Sequence, residues 1–148
     1  MYEKVLLPLD GSKLAECVLP HLRGLVTGGL ISEIILLNVV DIPSAWIAQG
    51  FDFMAVRKFQ VDNAEKYLAD IQSQVSFKGV KIETEVMEGE AAHMISEYAN
   101  NNGVNLIIIA THGYTGMKRL VFGSVALRVL HDAHVPVLLI RPESSMQP

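Results

Sequence analysis

Four short apolar runs that do not alternate with polar residues constrain this chain most: Lys4–Pro8, Ile34–Val40, Leu106–Ala110 and Val137–Ile140. A strand with one wet face alternates. A continuous run rich in Val, Leu and Ile is apolar on both faces, and belongs in a parallel sheet covered by helices on each side. A fifth segment, Lys81–Met87, sets Val80, Ile82, Thr84 and Val86 among polar neighbours and reads as a more exposed strand.

Helical patterns fill the intervals. Ser12 reads as the N-cap of a helix from Lys13 to about Val26, closed by Thr27-Gly28-Gly29, with Pro20 expected to kink it. Phe53 to about Val75 carries Met54, Val61, Ala64, Leu68, Ile71 and Val75 at helical spacing. Glu90 to Asn101 puts Ala91, Met94, Ile95 and Tyr98 on one face, and a last helix runs from near Ser124 to about Ala133 with Leu127 and Leu130 inward. The order βαβαβαβαβ predicts a doubly wound α/β sheet with helices on both faces. Ligands of such sheets lie beyond the carboxyl ends of the strands, where the winding reverses. Three segments follow strands in this way: Pro8–Ser12, Asn38–Asp41 and Ala110–Ser124.

A length of 148 residues suits one domain, expected over 1–143 with a loose tail at 144–148. The net charge of −4 leaves no basic face for nucleic acid, and no apolar run is long enough to cross a bilayer. The opening residues enter Val5-Leu6-Leu7 without a charged-then-apolar leader, and the single Cys17 excludes an internal disulfide, so a cytoplasmic location is expected.

The segment from Thr111 to Ser124 contains Gly113, Gly116 and Gly123 and leads into the last helix. Glycines let backbone amides approach an anion, and a helix start offers unpaired N–H groups with a partial positive charge. Equally, the glycines could simply turn the chain and Ser124 simply cap the helix. Neither common phosphate loop is present: Gly-Lys-Ser/Thr is missing, and no Gly-x-Gly-x-x-Gly follows the first strand.

Ala110-Thr111-His112-Gly113, nine residues, Gly123-Ser124-Val125-Ala126 and then Val135-Pro136-Val137-Leu138-Leu139-Ile140-Arg141 together resemble the universal stress protein family. Val5-Leu6-Leu7-Pro8-Leu9-Asp10-Gly11-Ser12 and Asn38-Val39-Val40-Asp41 extend the resemblance over nearly the whole chain. The resemblance implies a five-stranded parallel sheet in the order 3-2-1-4-5, a homodimer through the Val137–Ile140 edge strand and, in one branch, an ATP site with Mg2+ or Mn2+. That branch is marked by Gly-x-x-Gly-(nine residues)-Gly-Ser/Thr. Here Ala110 replaces the first glycine, adding one methyl at a strand end, so binding is expected to survive. By the same resemblance, Asp10 with the backbone of Pro8 and Val39 takes the adenosine. Ala110, His112 and Gly113 line the ribose and α-phosphate, Gly123, Ser124 and Val125 hold the outer phosphates, and Ile109, Thr111, Tyr114 and Thr115 complete the expected set. Asp10 also has a plain alternative, a turn aspartate bonded to its own backbone.

Other residues carry less. His131-Asp132-Ala133-His134 has no further ligand near it in sequence, and Cys17 reads as packed rather than reactive. Trp46, Ile47, Phe51 and Phe53 make the 41–53 connection unusually apolar, fitting a lid, a partner contact or packing on the sheet edge. The expected function is an ATP-binding stress-response regulator with at most slow hydrolysis, since no Walker lysine is present. The alternatives are an interaction module of the same fold without nucleotide and, last, an adenylyl-transferring or flavin-binding protein on a related sheet.

Overall fold

Parallel strands β1 (Lys4–Pro8), β2 (Glu33–Val40), β3 (Lys81–Glu88), β4 (Leu106–Ala110) and β5 (Val137–Ile140) form one five-stranded sheet in the order β3-β2-β1-β4-β5. The computed structural model describes residues 2–13, 15–111 and 123–142. Helices α1 (Val18–Thr27), α2 (Ser44–Ala48), α3 (Phe53–Gln74), α4 (Ala91–Asn101) and α5 (Ser124–Asp132) connect the strands. Register runs straight across the centre, with Val5 beside both Ile34 and Leu106, and Ile109 beside Leu139.

The continuous apolar runs divide by parity between two cores. Val5, Leu7, Ile34, Leu36 and Ile108 face α1 and α3, meeting Val18, Leu22, Leu68 and Ile71. Leu6, Ile35, Leu37, Ile107 and Ile109 face α4 and α5, meeting Ala92, Ile95, Ala126 and Val129. Burial on both faces is why β1, β2 and β4 contain no polar stripe. β3 lies at one margin, and Lys81, Glu83, Glu85 and Glu88 are exposed there.

Three expectations change at the helices. Ser12 does cap a turn, its hydroxyl accepting from Ala15 N–H at 3.1 Å, but the turn is the 3-10 segment Ala15–Cys17, and α1 starts only at Val18. Pro20 therefore lies in the first turn of α1, where a missing N–H costs no internal bond and no kink is required. In α5 the inward residues are Ala126 and Val129, whereas Leu127 and Leu130 are 53% and 45% exposed. A nine-residue helix has room for one short contact stripe, and here the stripe with the smaller side chains sits on the sheet.

Candidate functional site

The carboxyl ends of β1, β2 and β4 open onto a cavity of about 200 Å3 at the point where the winding reverses. Pro8, Leu9, Asp10 and Ala15 line it from the β1 side, Leu37 and Val39 from β2, and Ala91 and Ile95 from α4. Ile109, Ala110 and Thr111 enter from the end of β4, and Gly123, Ser124, Val125 and Ala126 from the start of α5.

The turn after β1 is built by side-chain hydrogen bonds. Buried Asn38 donates from Nδ2 to the Leu9 carbonyl at 2.9 Å, pinning the chain just before Asp10. Asp10 Oδ1 accepts from Ser12 N–H at 2.9 Å, so the turn role is present, and Gly11 between them has φ +90°, which favours glycine. Asp10 also lines the cavity, so turn-building does not remove it from the site. Beneath it, Tyr67 of α3 donates to Glu16 Oε2 at 3.0 Å. Burial, then the Glu16 carboxylate, push the Tyr67 phenol upward and keep it a donor.

Two helices start at the cavity, and they differ. The start of α4 is already met by a carboxylate: Glu90 accepts from Ala92 N–H at 3.3 Å and His93 N–H at 2.9 Å, and Arg128 of α5 donates to its Oε1 at 2.8 Å. Among the described residues, the start of α5 has no side-chain cap. Its N-cap is Gly123, not Ser124, which becomes the first helical residue. The Gly123 N–H donates to the Thr111 carbonyl, and the Leu127 N–H makes the bond to Gly123 at 3.0 Å. The amides of Ser124, Val125 and Ala126 thus belong to the helix end whose donors face outward, and these residues line the cavity.

Of the expected site residues, Pro8, Asp10, Val39, Ile109, Ala110, Thr111, Gly123, Ser124 and Val125 are brought together here. His112, Gly113, Tyr114 and Thr115 lie outside the described residues, as do Gly116, Lys118 and Arg119. Sequence reasoning missed Leu9, Ala15, Leu37, Ala91, Ile95 and Ala126. Leu37 shares strand parity with Val39 and could have been found from it. Ala91 and Ile95 carried no signal, because a helix that returns across the sheet shows its contacts only in three dimensions.

Elsewhere, His131 Nδ1 lies 2.8 Å from Asp132 Oδ1, and that hydrogen bond holds the Asp132 carboxyl below its ordinary range. Among the described residues no three His, Cys, Asp or Glu side chains gather to hold a metal ion, and no helix is long and apolar enough to cross a membrane.

The apolar walls suit a flat ring, Asp10 suits hydroxyl donors, and the uncapped α5 terminus suits an anion. The sequence model of the Universal stress protein family matches residues 1–141. Universal stress protein MJ0531 of Methanocaldococcus jannaschii is 30% identical over 142 residues, covering 95% of this chain and 83% of that protein. Universal stress protein MJ0577 of the same organism is 28% identical over 160 residues, covering 98% of each. The solved structure of MJ0577 has a TM-score of 0.85 and covers 97% of this chain and 99% of that one. A family protein from Arabidopsis thaliana, solved with AMP bound, shares the fold with a TM-score of 0.64 at 16% identity, covering 99% and 96% of the two chains.

Proposed function

The chain belongs to the universal stress protein family, and on that footing we propose that it binds an adenine nucleotide, ATP with Mg2+ or Mn2+, in the cavity beyond β1, β2 and β4. One observation carries the reading. Of the two helix starts at the cavity, α4 is occupied by its own Glu90, while α5 has no side-chain cap among the described residues. A polyanion gains most at the second, and the adenosine then extends over Val39 and Ile109 toward Asp10. The AMP bound by the Arabidopsis thaliana relative supports the same ligand class. His112, Gly113, Tyr114 and Thr115 are proposed to complete the site. The protein is read as a stress-response regulator, with at most slow hydrolysis and pairing through β5 as a homodimer.

Two measurements on freshly purified protein test this. Mass spectrometry of the ligand released on denaturation should find ATP, ADP or AMP. For apo protein, Mg-ATP at a hundred times its dissociation constant adds about 2.7 kcal/mol, which raises the melting temperature by roughly 5–10 °C. Gly123→Val should remove that shift. The Gly123 backbone is at φ −69°, ψ 152°, conformations any residue adopts, so the variant folds while its branched side chain crowds the anion end. An unshifted parent would transfer the reading to an interaction module without nucleotide.

A further inference from the structure

The cavity as bounded by the described residues, at about 200 Å3, is smaller than the roughly 300–1,000 Å3 in which small-molecule sites enclose their ligands. A nucleotide seated there keeps part of its surface uncovered unless another element folds onto it. Four of the ten exposed large apolar side chains among the described residues fall in one stretch of chain, with Trp46 39%, Ile47 37%, Phe51 56% and Phe53 44% exposed. They occupy the 41–53 connection, and both ends of that connection are fixed at the carboxyl rim of the sheet. The leading end leaves β2 at Val40, one residue beyond Val39 of the cavity wall. The trailing end enters α3, where Arg57 Nε lies 2.6 Å from Glu88 Oε2 at the last residue of β3.

Between these anchors the chain is closed on itself. Gln49 N–H donates to the Ala45 carbonyl at 3.0 Å, Phe51 N–H to the Trp46 carbonyl at 3.1 Å, and Gly50 turns the chain at φ +94°. The Trp46 and Phe51 rings sit 6.2 Å apart at 45°. Val56 is the first buried residue of α3, so the connection holds its own hydrogen bonds and contributes no side chain to the core before that point. Such a unit can rotate about its two ends without opening the sheet.

We infer that the 41–53 segment closes on the occupied cavity and takes the nucleobase against Trp46 and Phe51. The inference rests on the nucleotide reading above. Closure buries apolar side chains that otherwise face water, and a purine offers a π-face on which an indole or phenyl ring stacks. The phosphates stay at α5, so the aromatic contact discriminates by base and not by charge.

Trp46 is the sole tryptophan of the chain, which makes its emission a direct reporter. Apo protein is titrated with Mg-ATP, AMP and tripolyphosphate, with emission corrected for nucleotide absorption and heat followed in parallel by calorimetry. Emission should change with ATP and AMP at the calorimetric midpoint and stay constant with tripolyphosphate. Trp46→Ala should weaken ATP and AMP about tenfold, the order expected for one lost base stack, without altering tripolyphosphate binding, and Trp46→Phe should recover most of the loss. Calorimetric ATP binding with unchanged Trp46 emission, or parental affinity in Trp46→Ala, overturns closure and leaves the cavity assignment standing. No heat with either nucleotide overturns the cavity assignment and closure together.

Discussion

Cys17 shows how one side chain reports on the packing beneath the candidate site. It ends the 3-10 turn whose Ala15 lines the cavity, is 6% exposed, and burial pushes its thiol up to about 11 from an ordinary 9.0. At pH 8 the native thiolate population is then about a hundredfold below that of the unfolded chain. Alkylation should be slower by that order in the native protein and reach the free-thiol rate in denaturant; equal rates would place the thiol in water. A raised folded pKa also fixes the sign of the pH effect. The protonated thiol's contribution is complete below pH 9 and is lost as pH rises toward 11. Cysteine's preference for burial made this residue legible from sequence. The turn role of Asp10 was legible too, because Asp-Gly-Ser is turn chemistry whatever else its carboxylate does.

Among the elements, the strands were readable and the helix ends less so. A run such as Leu106–Ala110 can be satisfied only between two covered faces, and it is buried at every position. Helix starts depend on local competition. The 3-10 turn took Ser12 as its cap, which moved the start of α1 and put Pro20 where it does no harm. In α5 two apolar stripes were available, and sequence alone cannot rank Ala126 and Val129 against Leu127 and Leu130. At the site, the glycine-rich segment named the α5 end, but nothing in it revealed that Glu90 would satisfy α4 instead. Glu90→Ala should therefore act on the element: loss of the cap costs about 0.5–2 kcal/mol, or roughly 2–6 °C in melting temperature. Arg128→Ala removes only a half-exposed ion pair, with side chains 54% and 50% exposed, and should cost less. Thermal melts of the two variants check the order; an equal or larger loss in Arg128→Ala would mean that the bridge, not the cap, holds the α4 start.

For the whole molecule, the two margins of the sheet differ in chemistry. β5 presents Leu138, 37% exposed, with exposed Leu127 and Leu130 on the helix beside it. The proposed homodimer pairs this margin with itself about a two-fold axis. Leu138→Lys tests it better than a change at Leu139, which packs on the α4–α5 core. Light scattering should report two copies for the parent and one for Leu138→Lys, and a monomeric parent would remove the interface. The opposite margin, β3, carries Lys81, Glu83, Glu85 and Glu88 exposed, while Gln72 Nε2 occupies the Ile82 carbonyl at 2.8 Å. Two β3 strands brought together about a two-fold axis would set Glu83 and Glu85 against their copies. In the proposed dimer, a sheet with one adhesive margin and one repellent margin has a valence of one: a second copy would use it up, and the chain would reach a finite particle where two adhesive margins would have made a fibre.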